Sequence, residues 1–438
     1  MKSKILAITL NLLLFCAPYL NAQDSLQYLS LSTVRSEALK NNEDMLRAQN
    51  NRQSAVYDRR AAFRSALPTV DASAGALFMG DQEIMGNTLV MQGAYLAGFT
   101  LSQPIYTGGK ITYGNKMAKI GLQCSDEQLR QIRAKVIADA DNAYFTWIAV
   151  RSKVRMLEAY HAQIDSIMRV VETGVNAKLA TSGDLLRIQA KRSELDYQLL
   201  RTQNGEKLCL MAVANVMGLT LPDNAVPTDT IIEPSVSVEL NNDISQRPEY
   251  ALLEKNIDIK HLQYKMQIAD YLPTIALTAG YTWYGNIKFK GTTMLPDGTP
   301  YNYTQEMKAH IPMAGLVLKL PILDWGINFQ KIRKARLEEE NAKLDFKQNT
   351  RLLSLEAQQA MQNLTSGQQL IISARTAREQ AQENLRIMTM KYNNQLITLT
   401  DLMDAQSQWQ QALSNEIEAL TQLKIYETEY LRTTGRLE

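Results

Sequence analysis

Two periodicities share this chain. From Thr69 to Phe78, apolar Val70, Ala72, Ala74, Ala76 and Phe78 alternate with Asp71, Ser73 and Gly75. Tyr95, Ala97, Phe99 and Leu101 alternate in the same way with Gly98, Thr100 and Ser102. Further on, Ile275, Leu277, Ala279, Tyr281 and Trp283 share one side of a third segment. Leu316, Leu318 and Leu320 oppose Val317 and Lys319 in a fourth. A period of two predicts four strands, each with one apolar face. The second periodicity is slower and longer. Val136, Ala140, Ala143, Trp147, Val150, Val154, Leu157, His161, Ile164, Met168 and Val171 recur in steps of four and three. Leu353, Ala357, Ala360, Leu364, Gly367, Ile371 and Ala374 do the same. This is a 3.5-residue repeat, which helices satisfy by supercoiling on neighbours. It predicts one long helix over Lys110–Asn176 and another over Ile327–Asn393. Each would be about 100 Å long at 1.5 Å per residue.

Glycine and proline punctuate these runs. A helical pattern from Leu31 ends at Leu67 before Pro68. Gly108-Gly109-Lys110 predicts a strand-to-helix turn. It lacks the spacing and the Ser/Thr of a phosphate loop. A turn over Ala177–Gly183 leads to a helix from Asp184 to about Met217. Pro222, Pro227 and Pro234 mark a non-helical connector with room for a short strand. Arg247-Pro248-Glu249 then restarts a helix, with proline in its first turn. Gly80–Val90 and Gly285–His310 read as loops between paired strands.

The layout is written twice. Leu67-Pro68-Thr69-Val70 and Gly75 return as Leu272-Pro273-Thr274-Ile275 and Gly280, at an offset of 205. Pro104-Ile105 and Gly109 return as Pro321-Ile322 and Gly326, at an offset of 217. Asn176, Leu179, Asp184, Leu185 and Gln189 return as Asn393, Leu396, Asp401, Leu402 and Gln406, also at 217. The expected division is therefore a leader at 1–22, a first repeat at 23–217, a connector at 218–246 and a second repeat at 247–438.

Composition narrows the chemistry. Lys2 and Lys4 precede an apolar run from Ile5 to Phe15, and Leu20-Asn21-Ala22 suits a cleavage site, so 1–22 reads as a secretory signal peptide. Cys16 leaves a lipoprotein reading open, although bulky Phe15 is a poor match for a lipidation signal. The formal net charge is only +2, and the leader holds two of the lysines, so nothing points to nucleic acid. Cys124 and Cys209 could form one disulfide, but both fall in helical patterns and suit packed thiols. His161, His261 and His310 lack metal-ligand spacing. No nucleophile, metal, cofactor or phosphate motif supports an enzyme.

Four strands cannot close a membrane barrel, which starts at about eight. If they cross a membrane, several chains must share one barrel, because lipid does not tolerate an open sheet edge. The alternative is a soluble periplasmic coiled-coil scaffold carrying small sheets. The repeated Leu-Pro-Thr, Gln103-Pro104-Ile105 with Gly108-Gly109, Leu320-Pro321-Ile322 with Asp324-Trp325-Gly326, the Arg247-Pro248-Glu249 restart and the two tip turns together resemble the TolC family of outer membrane efflux proteins. The resemblance covers essentially the whole chain after the leader.

It implies a mainly α protein with a β-barrel portion: a long periplasmic coiled-coil α-barrel under a 12-stranded transmembrane β-barrel. A homotrimer would build both, each chain giving four strands. The implied location is the outer membrane of a Gram-negative bacterium, in contact with its lipid. The implied partners are a periplasmic adaptor and an inner-membrane transporter, and the implied work is efflux of drugs or other toxic small molecules. Protein export through a type I secretion duct is the alternative cargo. Acidic Asp401 and Asp404 would ring and narrow the closed pore, and Tyr392 matches a tyrosine of the network that holds it shut. Charged rings of that sort favour cations. The plainer reading of Asp401, and of Asp184 before it, is a helix cap. Leu179, Ala180, Leu396 and Ile397 are candidate adaptor contacts or ordinary turn packing. Ile397 and Gln395 depart from the arginine and glycine found in other members, so the lock is expected to be wired differently.

Overall fold

A computed structural model describes residues 28–222, 224–229, 232 and 240–437. The expected leader, Cys16 and Pro234 lie outside the described residues. In chain order the elements are β1 (Tyr28–Leu29), α1 (Leu31–Asn41), α2 (Glu43–Arg64), β2 (Thr69–Ile84), β3 (Asn87–Thr107), α3 (Lys110–Asn176), α4 (Ser182–Met217) and β4 (Val226–Pro227). They continue with α5 (Pro248–Ala269), β5 (Thr274–Met294), β6 (Pro300–Lys319), α6 (Ile327–Asn393) and α7 (Leu399–Thr433).

Both long helices take the bounds that their punctuation predicts. Each starts after a left-handed glycine, Gly109 at φ 92° and Gly326 at φ 79°. A side chain is strained there, so glycine ends the strand and frees the turn. Their four-three stripes are the buried faces. Val136, Ala140, Trp147, Val154, Leu157, Ile164 and Val171 are buried on α3, and Ala357, Ala360, Leu364, Gly367 and Ile371 on α6.

Two expectations need correction. The helix read over Leu31–Leu67 is two helices. Asn42 breaks it by taking extended backbone, ψ 131°, while its side chain accepts from the Asp44 N–H at 2.9 Å. Its amide donates to the Val216 carbonyl at 3.0 Å, so the break is also tied to α4. Asparagine competes in this way with helical backbone bonds. The loops read over Gly80–Val90 and Gly285–His310 are mostly strand. β2 and β3 meet at a two-residue hairpin, Met85-Gly86, with φ 51° and 79°. Both angles are left-handed, which suits the primed turns of tight hairpins. β5 and β6 are joined across 295–299. Register shifts at Leu77/Phe78, Met79/Gln82, Val90/Tyr95 and Tyr284/Ile287 explain the error. Each bulge moves the side chains to the other face and erases the alternation in the sequence.

The sheet runs β2–β3–β5–β6, all antiparallel, leaving β2 and β6 as its edges. Register merges the four apolar faces into one. Ala72, Phe99, Tyr281 and Pro312 lie abreast, as do Val70, Leu101, Ala279 and Ala314. Next come Ala74, Ala97, Trp283 and His310. Phe99 lies 6.2 Å from Tyr281 and 6.1 Å from Trp283 between ring centroids, and Tyr281 stacks on His310 at 6.0 Å.

The helices continue this row. Nearest the sheet they stand in the order α2–α3–α5–α6; beyond the middle, the order is α4–α3–α7–α6. The middle is held by a polar knot. Buried Asp141 of α3 accepts from Arg35 Nε and Nη2, both at 2.6 Å, and from Thr428 Oγ1 of α7 at 2.7 Å. Nearby, β1 pairs in parallel with β4, the short strand allowed for in the connector. Cys124 and Cys209 are free thiols. No helix among the described residues is long and apolar enough to cross a membrane.

Candidate gate at the helix tips

The chain turns back on itself twice at the end far from the sheet, and the two turns have the same backbone. In the first, the Leu179 N–H bonds the Gly174 carbonyl at 2.7 Å, and the Lys178 N–H bonds Val175 at 3.0 Å. In the second, Leu396 bonds Lys391 and Gln395 bonds Tyr392, both at 2.9 Å. These crossed bonds close a Schellman motif, which needs one left-handed residue. Lys178 and Gln395 supply it, each at φ 59°. Glycine would fit both positions without strain.

Each turn then starts its next helix with the same box. Thr181 Oγ1 accepts from the Asp184 N–H at 3.2 Å, and Asp184 Oδ2 receives the Thr181 N–H at 3.3 Å. Thr398 and Asp401 repeat this at 3.2 and 3.0 Å. Both carboxylates therefore turn back onto their own helix starts, so the cap expected for Asp184 is held equally by Asp401. The Thr398 hydroxyl and N–H hold the Asp401 carboxyl below its ordinary pKa. Asp404 stands one turn further on, exposed.

Some predicted residues come together and some do not. Tyr392 is half-buried between the tips, packed near Ile167, Leu385 and Leu402. Its hydroxyl pKa is raised, first by burial and then by the Asp184 carboxylate of the other tip. Leu399, at the start of α7, buries itself among Tyr160, Ile164 and Ile188 of the first repeat. Leu179 and Leu396 are 78 % and 72 % exposed. Leu179 also borders a cleft of about 810 Å³ between the tips, which Ala180 and Ile397 line with Arg169, Asp184 and Tyr392.

One contact was not foreseen. Arg187 Nη1 donates to Thr400 Oγ1, joining α4 to the start of α7. The signal was Arg187's place opposite Asp404 in the repeat alignment; its partner depends on how the two hairpins pack. Among the described residues no cluster of His, Cys, Asp or Glu could hold a metal ion.

The duplicated strand pair, the two long supercoiled helices and the twin tips form one pattern, and that pattern can be compared with known proteins. A profile of the family described as outer membrane efflux protein matches residues 34–211 and 240–436, one repeat each. The chain belongs to the outer membrane efflux protein family. Solved structures agree on the fold. The outer membrane channel CmeC of Campylobacter jejuni is 17 % identical with a TM-score of 0.76, covering 93 % of this chain and 86 % of its own. VceC of Vibrio cholerae is 16 % identical, with a TM-score of 0.75 and coverage of 92 % and 96 %. The open-state MtrE channel of Neisseria gonorrhoeae is 17 % identical, with a TM-score of 0.73 and coverage of 93 % and 89 %. No curated protein matches in sequence. As an outer membrane efflux protein the chain belongs to a family of channels, not enzymes. It is a protein of the Gram-negative outer membrane, homologous to the outer channels of tripartite efflux systems. Its α-barrel and β-barrel segments are the helical row and the sheet described above.

Proposed function

We propose that three copies of this chain form one duct that carries small toxic molecules out across the outer membrane and closes at the helix tips. The observation that carries this reading is the sheet: four antiparallel strands with one merged apolar face and two open edges, β2 and β6. Lipid forbids such edges, so they must pair with other copies. Three copies would give the 12 strands that the family resemblance implies. A membrane strand needs only about 9–11 residues. Strands of 16 to 21 residues would therefore stand well clear of the bilayer on the outer side.

The helical row supports the same assembly. Its flanks are α2 and then α4 on one side and α6 on the other, and apolar side chains reach water on both: Leu186, Leu200 and Met211 on α4, Leu337, Leu344 and Leu370 on α6. A flank of one copy meeting the opposite flank of the next is a head-to-tail contact, and such contacts close rings. Residues 23–217 and 247–438 would be the two structural repeats, and 218–246 a belt around the tube, after removal of a leader at 1–22. At the tips, Asp404 with Asp401 would ring the axis and narrow the pore. Tyr392, beside Asp184, would help hold it shut. Exposed Leu179 and Leu396, with Ala180 and Ile397 in the cleft between them, would receive a periplasmic adaptor that links the duct to an inner-membrane transporter.

Deletion of the gene tests the cargo. Efflux predicts increased drug accumulation in the deletion strain. Unchanged accumulation with loss of a secreted protein would assign the duct to type I export instead. Fractionation tests the class, since recovery as a soluble monomer would contradict a membrane duct.

A further inference from the structure

The merged apolar face of the sheet changes character above the bulges. β6 shows this most simply, because the extra residue of the β5–β6 ladder lies on β5. Leu318, Leu316 and His310 lie on the merged face, and two-residue alternation continues that face through Lys308 and Glu306. No Lys, Arg, Asp or Glu stands on it between Leu318 and Lys308.

β5 reaches the same face by a different route. Its pairing passes from Tyr284↔Ala309 to Ile287↔Met307, three residues on β5 against two on β6. Asn286 takes left-handed backbone there, φ 58°, and its amide donates to the Gln92 and Gly93 carbonyls of β3 at 3.2 and 3.0 Å. Such an insertion exchanges the two sides of a strand. Lys288 and Lys290 therefore fall abreast of Glu306 and Thr304, on the side that carries Tyr281 and Trp283 lower down. Without the bulge both lysines would turn to the opposite side. That side, in the same rows, carries Ile287, Phe289, Gln305 and Met307 and no charge. A sheet that merely stood in water would gain nothing by sorting its charges in this way.

The lysines also stand at a particular height. At about 3.4 Å per residue and a tilt of about 40°, Lys308 lies about 26 Å above Leu318, the height of an apolar barrel band. Lys288 lies about 5 Å higher again, and Lys290 about 10 Å. Trp283 and Tyr95 close the top of the band, where such rings sit at the level of lipid headgroups.

We propose that Lys308, Lys288 and Lys290 form a ladder that binds the phosphates of the outer-leaflet glycolipid, lipopolysaccharide, whose acyl chains lie against the apolar face below. In that lipid a phosphorylated sugar headgroup sits directly above the acyl chains, so one molecule meets both parts of the surface. Lysines gathered beside a membrane bind anionic headgroups in this way. Glu306 and Glu83 share these rows. Lys308 pairs with Glu306 at 3.3 Å, but its side chain is 66 % exposed, and a pair so open to water is weak enough to yield to a phosphate. The inference rests on the apolar face meeting lipid, and it holds for any number of copies in the barrel.

The test uses the full-length protein, immobilised in mild detergent and titrated with bisphosphorylated lipid A or with the same lipid stripped of its phosphates. Wild type should hold the phosphorylated form about a hundredfold more tightly. Lys288→Gln, Lys290→Gln and Lys308→Gln should each weaken that binding about fivefold, and the three together about a hundredfold, with little change for the stripped lipid. Lys288→Arg, Lys290→Arg and Lys308→Arg should keep it. Lys319→Gln, at the helical end of β6, should leave it unchanged. Equal retention of the two lipids, or a triple glutamine variant that binds like wild type, overturns the site and leaves the lysines to water. Displacement of the lipid by millimolar inorganic phosphate overturns the lipid as occupant and assigns a site for free anions. A wild-type protein absent from the outer membrane fraction is a separate failure, which overturns the contact of the apolar face with lipid.

Discussion

Replacing Gln395 by glycine should tighten the second tip. Gln395 sits at φ 59° in the turn that joins α6 to α7. An L-residue in left-handed backbone carries a cost of about 1–2 kcal/mol, which glycine lacks. Glycine also gains freedom in the opened turn, which takes back about 0.4–1 kcal/mol. The difference favours the closed turn by about 0.5–1 kcal/mol. At 1.4 kcal/mol per decade, the opening equilibrium should fall about two- to fivefold. The reporter is the Leu396 amide, whose N–H is held by the Lys391 carbonyl at 2.9 Å across that residue. Hydrogen exchange at Leu396 should slow by the same factor in Gln395→Gly, and Lys178→Gly should protect the Leu179 amide equally. Gln395→Val, with a branched side chain at the same angle, should speed exchange. Unchanged or faster exchange in Gln395→Gly would refute the reasoning that the turn is strained at this residue.

Other consequences concern charge. The Asp401 carboxyl is held below its ordinary pKa by Thr398, so its cap contributes stability above the unfolded carboxylate pKa and loses it as pH falls through the lower folded value. Protection of the amides at the start of α7, meaning exchange relative to its intrinsic rate at each pH, should be flat from pH 7 to about 4 and fall below that, and Asp401→Asn should remove the fall. Asp141→Asn takes a charge from the buried acceptor of Arg35 and Thr428. It should cost about 3 kcal/mol, the low end for a broken buried pair, because Arg35 keeps 37 % of its side chain exposed; thermal loss of helical circular dichroism measures this, and a wild-type midpoint would contradict it. Arg187→Ala frees Thr400 and unties one tip from the other, so single-channel recordings should show a larger open fraction, while an unchanged fraction would limit Arg187 to local packing.

Much of this was legible from residues. The ends of α3 and α6 follow from Gly109, Gly326 and the paired Asn176 and Asn393, where punctuation is strong and the rod between is uniform. Asp184 and Asp401 were legible as carboxylates at helix starts, whereas their box partners Thr181 and Thr398 came only with the structure. The strand lengths were not legible, because bulges such as Tyr284/Ile287 interrupt the alternation on which the reading depends. Nor was the break at Asn42, whose second bond reaches Val216, far away in sequence. The tip contacts were hidden for the same reason. Arg187 meets Thr400 and Tyr392 faces Asp184 only once two distant hairpins pack side by side. Asp401 and Asp404 looked alike in sequence; the structure separates them, since both are exposed but only the Asp401 carboxylate serves its own cap.

That separation leads to the most direct test of a duct closed by carboxylates at its tips. Purified wild-type protein in planar bilayers should show a small, cation-preferring conductance, set at the narrowest ring. Asp404→Ala alone should raise the conductance and weaken the cation preference without opening the Asp401 cap, and Asp401→Ala with Asp404→Ala should carry both changes further. Wild-type current and wild-type reversal potential in the double variant would contradict a gate at these tips.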